Sequence, residues 1–321
     1  MSMNILVTSK SFGKIDSKAL RMLEEYGFSI TFLNSEKMTS KLIAENIKDI
    51  DCLIVGNDPV GFEVFESANK LKLIHMHGTG LDGIDIELAS KHKVLVANVI
   101  GANKNAVAEM TLALMLTVGR RIDTHIQWLR EGFWKRKPGN EVSYKTVGII
   151  GLGNIGKRLV ELLLGFNVHV VGYDPVKDIS WAASHDVYLA SCTDEVFACS
   201  DFLVLSLPYT KETEHIVCER TLSLMKPTAY LINTARGGLV DEEALAEAIQ
   251  TGVIAGAAID TFKFEPPDRK SNILAADIVA TPHISATSIE TSSYVSMIVS
   301  QQIVDILCHG KSTLAVNWES L

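Results

Sequence analysis

Three side chains suited to proton transfer and to holding an organic acid follow successive predicted strands in the second half of the chain. They are Arg236, Glu265 and His283, each placed shortly after a β-branched run. Histidine has the ordinary pKa nearest neutrality, so His283 is the candidate acid and base. Glu265 could orient its ring, and Arg236 could bind a carboxylate and polarise the carbonyl beside it. This combination predicts hydride transfer at an alcohol carbon.

A glycine-rich turn earlier in the chain predicts a dinucleotide site. Gly151, Gly153 and Gly156 form G-x-G-x-x-G between the strand-like run Val147–Ile150 and a helical run. The first glycine allows a tight turn, the second lets a pyrophosphate approach the backbone, and the third lets the helix pack on the strand. The N–H groups at the start of that helix would then face the phosphates.

An acidic residue extends this motif. The next strand-like run leads to Asp174, roughly 20 residues beyond the glycines, where a carboxylate accepts hydrogen bonds from the ribose hydroxyls. A carboxylate there also repels a 2′-phosphate, and no arginine follows closely. A glycine turn that binds no nucleotide is the alternative for the glycines alone, but the added Asp174 favours a cofactor site. The predicted cofactor is NAD rather than NADP.

Short β-branched runs alternate with helical patterns along almost the whole chain, which predicts α/β domains with parallel sheets. In such sheets ligands bind outside the carboxyl ends of the strands, where the candidate side chains lie. One long helical pattern, residues 105–130, separates two series of strands, and another, residues 288–309, follows them. The predicted strands are Ile5–Thr8, Ser29–Leu33, Cys52–Val55, Leu73–Met76 and Val94–Ala97, then Thr146–Ile150, Val168–Gly172, Phe202–Leu205, Tyr230–Ile232, Ala255–Ile259 and Ile278–Ala280.

Length and composition are those of a globular protein with about two domains. The 321 residues carry a net charge of −8, so neither nucleic acid nor an anionic membrane is a predicted partner. The five cysteines are scattered, without a C-x-x-C pair, which favours a reducing compartment. No signal-peptide pattern opens the chain, and the apolar stretch 106–118 is too short to span a bilayer. A cytoplasmic location is predicted.

Two histidines invite a metal-binding interpretation. His75 and His77 alternate at the end of a predicted strand, so both could point to one face. No third ligand is evident near them in the sequence, and no metal is predicted.

The motifs together resemble the D-isomer-specific 2-hydroxyacid dehydrogenase family over nearly the whole chain. In that family the arginine binds the substrate carboxylate, the glutamate supports the histidine, and the histidine is the acid and base. The resemblance implies a carboxylate-binding loop at Gly78, Thr79 and Gly80, and NAD contacts at Gly151, Gly153, Asn154, Ile155, Gly156, Asp174, Leu207, Pro208, Thr213, Thr234, Ala235 and Asp260.

The resemblance also implies an architecture of two doubly wound parallel-sheet domains. A Rossmann NAD-binding domain, residues 99–284, is expected to be inserted into a flavodoxin-like substrate domain, residues 1–98, to which the final helix in 285–321 returns. The hinges would lie near Val99 and Ile284, with the active site in the cleft between the domains. The helix after Ala106 and the arm near Trp134 resemble the family's dimer interface, so a homodimer through the NAD-binding domains is expected.

Within the family, Val99–Asn103 and Ala106–Glu109 are most similar to the phosphoglycerate dehydrogenase and hydroxypyruvate reductase branches. The expected reaction is reversible hydride transfer between nicotinamide C4 and C2 of a small 2-oxo or D-2-hydroxy acid, of the hydroxypyruvate, glyoxylate or 3-phosphoglycerate class. A non-enzymatic NAD(H)-sensing regulator is an alternative, because such proteins can keep the arginine, glutamate and histidine. The absence of long tails around the two series of predicted strands argues against it. Formate dehydrogenases usually have glutamine in place of Glu265, and phosphite oxidation is equally remote.

The predicted substrate is an unphosphorylated acid. The phosphoglycerate branch commonly has a basic residue two positions before Gly78 and another after the third strand. This chain has Met76 and the stretch Gly56–Pro59 there, so a phosphate would meet a thioether and the Asp58 carboxylate. The two lysines that could supply the missing positive charge are Lys10 and Lys104.

Overall fold

Two compact units make up the computed structural model, which describes residues 3–320. Unit 1 is formed by two separate segments, Met1–Asn103 and Thr287–Leu321, and unit 2 by the continuous segment Lys104–Ala286. The chain therefore completes unit 2 between the two segments of unit 1. The hinges expected near Val99 and Ile284 stay predictions.

Unit 1 is built on a parallel five-stranded sheet in the order β2-β1-β3-β4-β5. Its direction of winding reverses between β1 and β3, and the crevice outside their carboxyl ends is where sheets of this type bind ligands. The strands are β1 (Met3–Val7), β2 (Phe28–Phe32), β3 (Cys52–Val55), β4 (Leu73–Met76) and β5 (Leu95–Ala97). The helices are α1 (Lys18–Glu25), α2 (Ser40–Asn46), α3 (Phe62–Ser67), α4 (Ile86–Lys91) and the last helix of the chain, α13 (Ile289–Leu307), with short 3-10 helices at Ser312–Leu314 and Trp318–Ser320.

The apolar side chains of the strands in unit 1 point alternately to the two faces of the sheet and form one apolar layer on each face. Val7 and Ile54 face one layer, which is completed by Val299 and Ile303 of α13. Successive strand residues point to opposite faces, so Leu53 belongs to the other layer, which α2, α3 and α4 cover. The last helix is thus part of the core of unit 1.

Unit 2 is built on a parallel seven-stranded sheet in the order β12-β11-β10-β9-β6-β7-β8, which reverses direction between β6 and β9. The strands are β6 (Thr146–Ile150), β7 (His169–Tyr173), β8 (Val187–Leu189), β9 (Phe202–Leu205), β10 (Tyr230–Asn233), β11 (Gly256–Ile259) and β12 (Ile278–Ala280). The helices are α5 (Lys104–Arg120), α6 (Ile122–Arg130), α7 (Asn154–Leu163), α8 (Ile179–Ser184), α9 (Thr193–Cys199), α10 (Glu219–Leu222), α11 (Glu242–Gln250) and α12 (Asn272–Ala275), with 3-10 turns at Leu164–Phe166 and Gly237–Leu239.

The predicted fold class, two doubly wound parallel-sheet α/β domains, is confirmed. The sequence patterns missed β8, a three-residue edge strand too short for a periodic signal. They also predicted one helix over residues 105–130, whereas two form there. Arg121 has a left-handed backbone, with φ of 52°, and separates α5 from α6. Within residues 3–320, no helix is both long and apolar enough to cross a bilayer.

His75 is fully buried between β4 and α13. Its Nδ1 atom lies 3.0 Å from the Met76 carbonyl oxygen, and its Nε2 atom lies 2.8 Å from the Gln302 side-chain amide oxygen. Burial lowers the pKa of His75 from 6.5 to about 4, because it disfavours the charged ring more than these polar contacts favour it. The ring is therefore neutral at physiological pH.

We expect acid to destabilise unit 1 through His75. Its pKa in the folded state lies below its unfolded value, so the unfolded chain binds the proton more readily between pH 6.5 and 4. The contribution of His75 to the free energy of unfolding is fully present above pH 6.5. It is lost as the pH falls towards 4, and the loss is about 3 kcal/mol. Urea unfolding at several pH values, with hydrogen exchange to follow β4 and α13, measures the loss. In His75→Gln, which cannot take up this proton, the decline should be clearly shallower; an equally steep decline contradicts the assignment.

Candidate active site and cofactor-binding loop

The strongest candidate site lies at the carboxyl ends of β10, β11 and β12, which are neighbours in the sheet of unit 2. Glu265 follows β11 and His283 follows β12, and the His283 Nδ1 atom lies 2.7 Å from the Glu265 Oε2 atom. The other carboxylate oxygen, Oε1, accepts from the Phe262 N–H at 3.1 Å. Both side chains are about one-third exposed. The structure thus brings the predicted acid/base and its carboxylate support together, with the ring open to solvent.

Asp260 shapes the segment that carries His283. Its buried carboxylate accepts from the backbone N–H groups of Ile284 and Ser285, at 2.9 and 2.8 Å, and from the Thr281 hydroxyl. The Asp260 carbonyl also accepts from the His283 N–H at 2.8 Å. These bonds hold His283 in a left-handed conformation with φ of 52°. Sequence reasoning expected Asp260 to contact NAD; that role stays a prediction, and the structure shows it as the anchor of the histidine loop.

Arg236 is carried by a loop that Asn233 braces. The buried Asn233 side chain accepts from the Ala235 N–H at 3.0 Å and donates to the Arg236 carbonyl at 2.9 Å. The Arg236 guanidinium donates to the Ala235 carbonyl at 2.8 Å. Sequence reasoning did not single out Asn233, although a polar residue at the end of a buried strand was the available signal. The arginine lies at the end of β10, one strand from β11.

The glycine-rich loop has the geometry of a phosphate cradle. Gly151 has φ of 100°, and a Cβ atom there would lie 2.2 Å from the Ser206 carbonyl oxygen. A Cβ on Gly156 would meet the Gly151 carbonyl oxygen at 2.2 Å, whereas one on Gly153 would point into open space. The N–H groups of Gly153, Asn154 and Ile155 at the start of α7 donate to no acceptor within residues 3–320. Free donors at a helix start beside open space fit a pyrophosphate.

Asp174 is fixed beside this loop by two backbone bonds. Its Oδ2 atom accepts from the Leu152 N–H and its Oδ1 atom from the Val176 N–H, both at 2.9 Å. The carboxylate therefore ties the end of β7 to the glycine turn. A dinucleotide whose pyrophosphate lies on the glycine loop places its ribose next to this carboxylate.

The remaining predicted NAD contacts lie on loops that follow β9 and β10. The Thr213 hydroxyl donates to the Pro208 carbonyl at 2.9 Å and so closes the loop after β9, to which Leu207 also belongs. The buried Thr234 hydroxyl lies 2.7 Å from that of Thr111 in α5. All of these residues are at the carboxyl edge of the sheet in unit 2, and their contacts with NAD stay predictions.

The loop Gly78–Gly80 in unit 1 has two of its carbonyl groups hydrogen-bonded and its N–H groups available. The Gly78 carbonyl accepts from the Val99 N–H at 2.8 Å, and the Thr79 carbonyl accepts from the Asn98 side chain at 2.6 Å. The Thr79 hydroxyl donates to the Val99 carbonyl at 2.9 Å. Across the described chain, the N–H groups of this loop find no acceptor. Successive free N–H groups form a concavity that suits an anion such as a carboxylate.

The structure also shows the surroundings of Met76 and Lys10, which the sequence analysis considered as possible neighbours of a substrate phosphate. Met76 is only 3% exposed in the core of unit 1, so the expectation that an entering phosphate would meet its thioether is wrong. Lys10 donates to the Glu36 carbonyl at 3.4 Å. No group of three or more histidine, cysteine or acidic residues with metal-binding geometry occurs within residues 3–320.

Comparison with known proteins identifies the family. The model of the D-isomer specific 2-hydroxyacid dehydrogenase NAD binding domain matches residues 112–285, more than half of the chain. The chain belongs to this family. As a member it is an oxidoreductase, and NAD is the cofactor of unit 2. The glycine cradle and Asp174 fit that cofactor.

Similar proteins include enzymes with different substrates. D-3-phosphoglycerate dehydrogenase of Methanocaldococcus jannaschii is 37% identical over 306 residues, which cover 94% of this chain but only 57% of that protein. Hydroxypyruvate reductase of Thermotoga maritima is 35% identical over 277 residues, covering 84% of this chain and 89% of that enzyme. The solved structure of D-lactate dehydrogenase from Aquifex aeolicus with NAD and lactic acid is 28% identical, has a TM-score of 0.85, and covers 98% of this chain and 99% of that one.

We expect at least a tenfold preference for NADH over NADPH in kcat/KM. Hydrogen bonds from the Leu152 and Val176 N–H groups hold the Asp174 carboxylate beside the glycine turn, where a 2′-phosphate would meet a like charge. Tenfold corresponds to about 1.4 kcal/mol, a modest cost for that encounter. Asp174→Asn should reduce the ratio of kcat/KM for NADH to kcat/KM for NADPH. Asp186→Asn, at an exposed turn of the same unit, should leave this ratio unchanged. Comparable kcat/KM for both cofactors in the unaltered protein would contradict this expectation.

Proposed function

We propose that this chain transfers a hydride reversibly between nicotinamide C4 and C2 of a small 2-oxo or D-2-hydroxy acid. The observation that carries the proposal is the 2.7 Å pair of His283 and Glu265 beside the Arg236 loop. This pair lies at the carboxyl edge of the same sheet as the NAD-binding turn. An acid/base, a guanidinium and a hydride-carrying cofactor are the groups that interconversion of a hydroxy acid and an oxo acid requires.

The protein side of the reaction follows from the contacts of His283. Its Nδ1–H donates to Glu265, which holds the ring and leaves Nε2 as the nitrogen that transfers the proton. In the reductive direction the protonated ring donates its Nε2 proton to the oxygen on C2, and in the oxidative direction the neutral ring accepts that proton. NAD, when bound at the glycine loop, accepts or supplies the hydride. Arg236 holds the acid and stabilises the developing negative charge on the oxygen at C2.

The substrate carboxylate is assigned to Arg236, because a guanidinium matches a carboxylate in geometry. The N–H groups of Gly78, Thr79 and Gly80 form a separate concavity in unit 1 that suits an anion. An unphosphorylated acid such as hydroxypyruvate or glyoxylate is the proposed substrate class.

A screen of NADH oxidation against a panel of 2-oxo acids tests the proposal. We expect turnover with at least one small member of the panel, such as glyoxylate. Retention of NADH binding without turnover of any 2-oxo acid would instead favour an NAD(H)-sensing role.

We also propose a cytoplasmic homodimer assembled through unit 2. The side chains of Leu129 and Trp134, in α6 and the arm after it, are 61% and 80% exposed, which is unusual for such large apolar groups. Light scattering measures the mass in solution, and Trp134→Glu should lower it to that of a monomer.

A further inference from the structure

The loop that follows β11 carries Glu265, and its backbone is held at two successive N–H groups. The Phe262 N–H donates to the Glu265 Oε1 atom at 3.1 Å, so the loop closes on the side chain that it carries. The next N–H group, that of Lys263, donates to the Glu242 Oε1 atom at 2.7 Å. Glu242 is the first residue of α11 and lies 21 residues earlier in the chain. A second element of unit 2 thus contacts the loop of the predicted acid/base support.

The peptide between Phe262 and Lys263 also packs against the loop that carries Arg236. A Cβ atom on Gly237 would lie 1.9 Å from the Phe262 carbonyl carbon and 2.3 Å from the Lys263 nitrogen. Glycine, which has no Cβ atom, allows this close approach of two backbones. The peptide is therefore fixed both by backbone packing at Gly237 and by its hydrogen bond to Glu242.

One short segment between β10 and α11 makes both of these contacts and also carries the guanidinium. It begins with Arg236, continues through the 3-10 turn Gly237–Leu239 and ends in the first turn of α11, where Glu242 lies. The Asp241 side chain caps this helix by accepting from a backbone N–H of the first turn, which fixes the start of the helix. The segment that presents the guanidinium at one end therefore holds the Glu265 loop at its other end.

A displacement of this loop would reach the acid/base directly, because the Glu265 Oε2 atom lies 2.7 Å from the His283 Nδ1 atom. Misplacement of a reacting group by about 1 Å can lower a rate by about 10²-fold. Three contacts of the loop have been described, and they involve Glu265 itself, Gly237 and Glu242. The contact from Glu242 is the one that can be removed without adding atoms to the packed backbone and without altering the catalytic pair.

We propose that Glu242 is a positioning residue of the reaction, which sets the place of Glu265 and, through it, that of His283. The inference rests on the proposed dehydrogenase function and adds a residue that acts through the Glu265 loop. Because one segment carries both Glu242 and Arg236, it fixes the proton-transferring pair relative to the guanidinium. The Glu242 Oε1 atom serves as a hydrogen-bond acceptor, and its negative charge is not required.

The test compares three variants with the unaltered enzyme in the reduction of glyoxylate by NADH. Glu242→Ala should lower kcat at least fivefold, with KM for the acid and the NADH dissociation constant each within twofold, because Arg236 and the glycine loop are untouched. Glu242→Gln keeps an oxygen that can accept from the Lys263 N–H, so its kcat should stay within twofold. Glu243→Ala removes the same charge from the next residue of α11, whose carboxylate accepts from the Asn272 side chain at 2.6 Å, and should change none of these constants.

Two further measurements show whether Glu242 acts through the Glu265 loop. In a Glu265→Ala background, Glu242→Ala should lower kcat by less than a further twofold, because the side chain that it positions is absent. Hydrogen exchange of the peptide that spans residues 256–268, followed by mass spectrometry, should be faster in Glu242→Ala than in Glu243→Ala. The reason is that the Lys263 N–H has lost its acceptor in the first variant and keeps it in the second.

The possible outcomes separate this inference from the proposed function. A fall in kcat alone in Glu242→Ala, absent in Glu242→Gln and absent in the Glu265→Ala background, supports the positioning role. An unchanged kcat, an equal loss in Glu242→Gln, a repeated loss in the Glu265→Ala background or unchanged hydrogen exchange overturns it. Parallel losses of kcat, of KM and of NADH affinity show a structural role only and also overturn it. All of these leave the dehydrogenase function in place, whereas no turnover of any 2-oxo acid by the unaltered protein defeats the proposed function and this inference with it.

Discussion

Replacement of His283 by asparagine is expected to lower kcat for 2-oxo acid reduction by about 10²–10⁴-fold, the usual contribution of a positioned acid/base. Asparagine suits the test because it tolerates the left-handed backbone that His283 adopts. It keeps a polar side chain but cannot transfer a proton. The dissociation constant of NADH, measured by quenching of protein fluorescence, should change little, since the glycine loop and Asp174 are untouched.

Two further variants make that result specific. His169→Asn makes the same exchange at an exposed position at the amino end of β7, and its kcat should stay within twofold of the unaltered enzyme. Glu265→Gln removes the carboxylate that accepts from the His283 ring at 2.7 Å and holds it in place, so kcat should also fall. If neither His283→Asn nor Glu265→Gln changes kcat, the histidine is not the acid and base.

The catalytic side chains could be predicted from sequence because each depends on a local pattern. A buried β-branched run ends, a turn begins, and Arg236, Glu265 or His283 stands in it. In a parallel sheet all such turns lie at one edge, so residues far apart in sequence are predicted to share that edge. The glycine cradle is equally local, since the turn requires a positive φ at Gly151 and close packing at Gly156.

The residues that hold these side chains in place depend on pairings between distant parts of the chain. Asp260 reaches Thr281 and Ser285, which are 21 and 25 residues away, only because β11 and β12 lie side by side. No local pattern indicates such an anchor, so the sequence did not predict this role, and the contact of Asp260 with NAD stays a prediction. The sequence analysis placed Met76 at the substrate site because it did not include the packing of β4. Successive residues of this strand point to opposite faces of the sheet, with His75 facing α13 and Met76 facing the other apolar layer.

Replacement of Arg236 by glutamine is expected to lower kcat/KM for the 2-oxo acid by about 10²–10³-fold. Truncating one partner of a buried charge pair costs about 2–5 kcal/mol, and each 1.4 kcal/mol is tenfold. Loss of carboxylate binding raises KM, while loss of charge stabilisation at the C2 oxygen lowers kcat, so both constants should change. The NADH dissociation constant should not, because Arg236 lies after β10 and the phosphate cradle lies after β6.

The conservative variant and a surface control decide what the guanidinium does. Arg236→Lys keeps the positive charge but loses the planar pair of donors. Its kcat/KM should therefore lie between that of Arg236→Gln and that of the unaltered enzyme. Arg269→Gln makes the same loss of charge at an exposed loop residue of unit 2 and should leave kcat/KM within twofold. A lysine variant as active as the unaltered enzyme would show that a simple positive charge suffices. Equal losses of kcat/KM and of NADH affinity in Arg236→Gln would instead mean that this arginine organises the cofactor site and does not bind the acid.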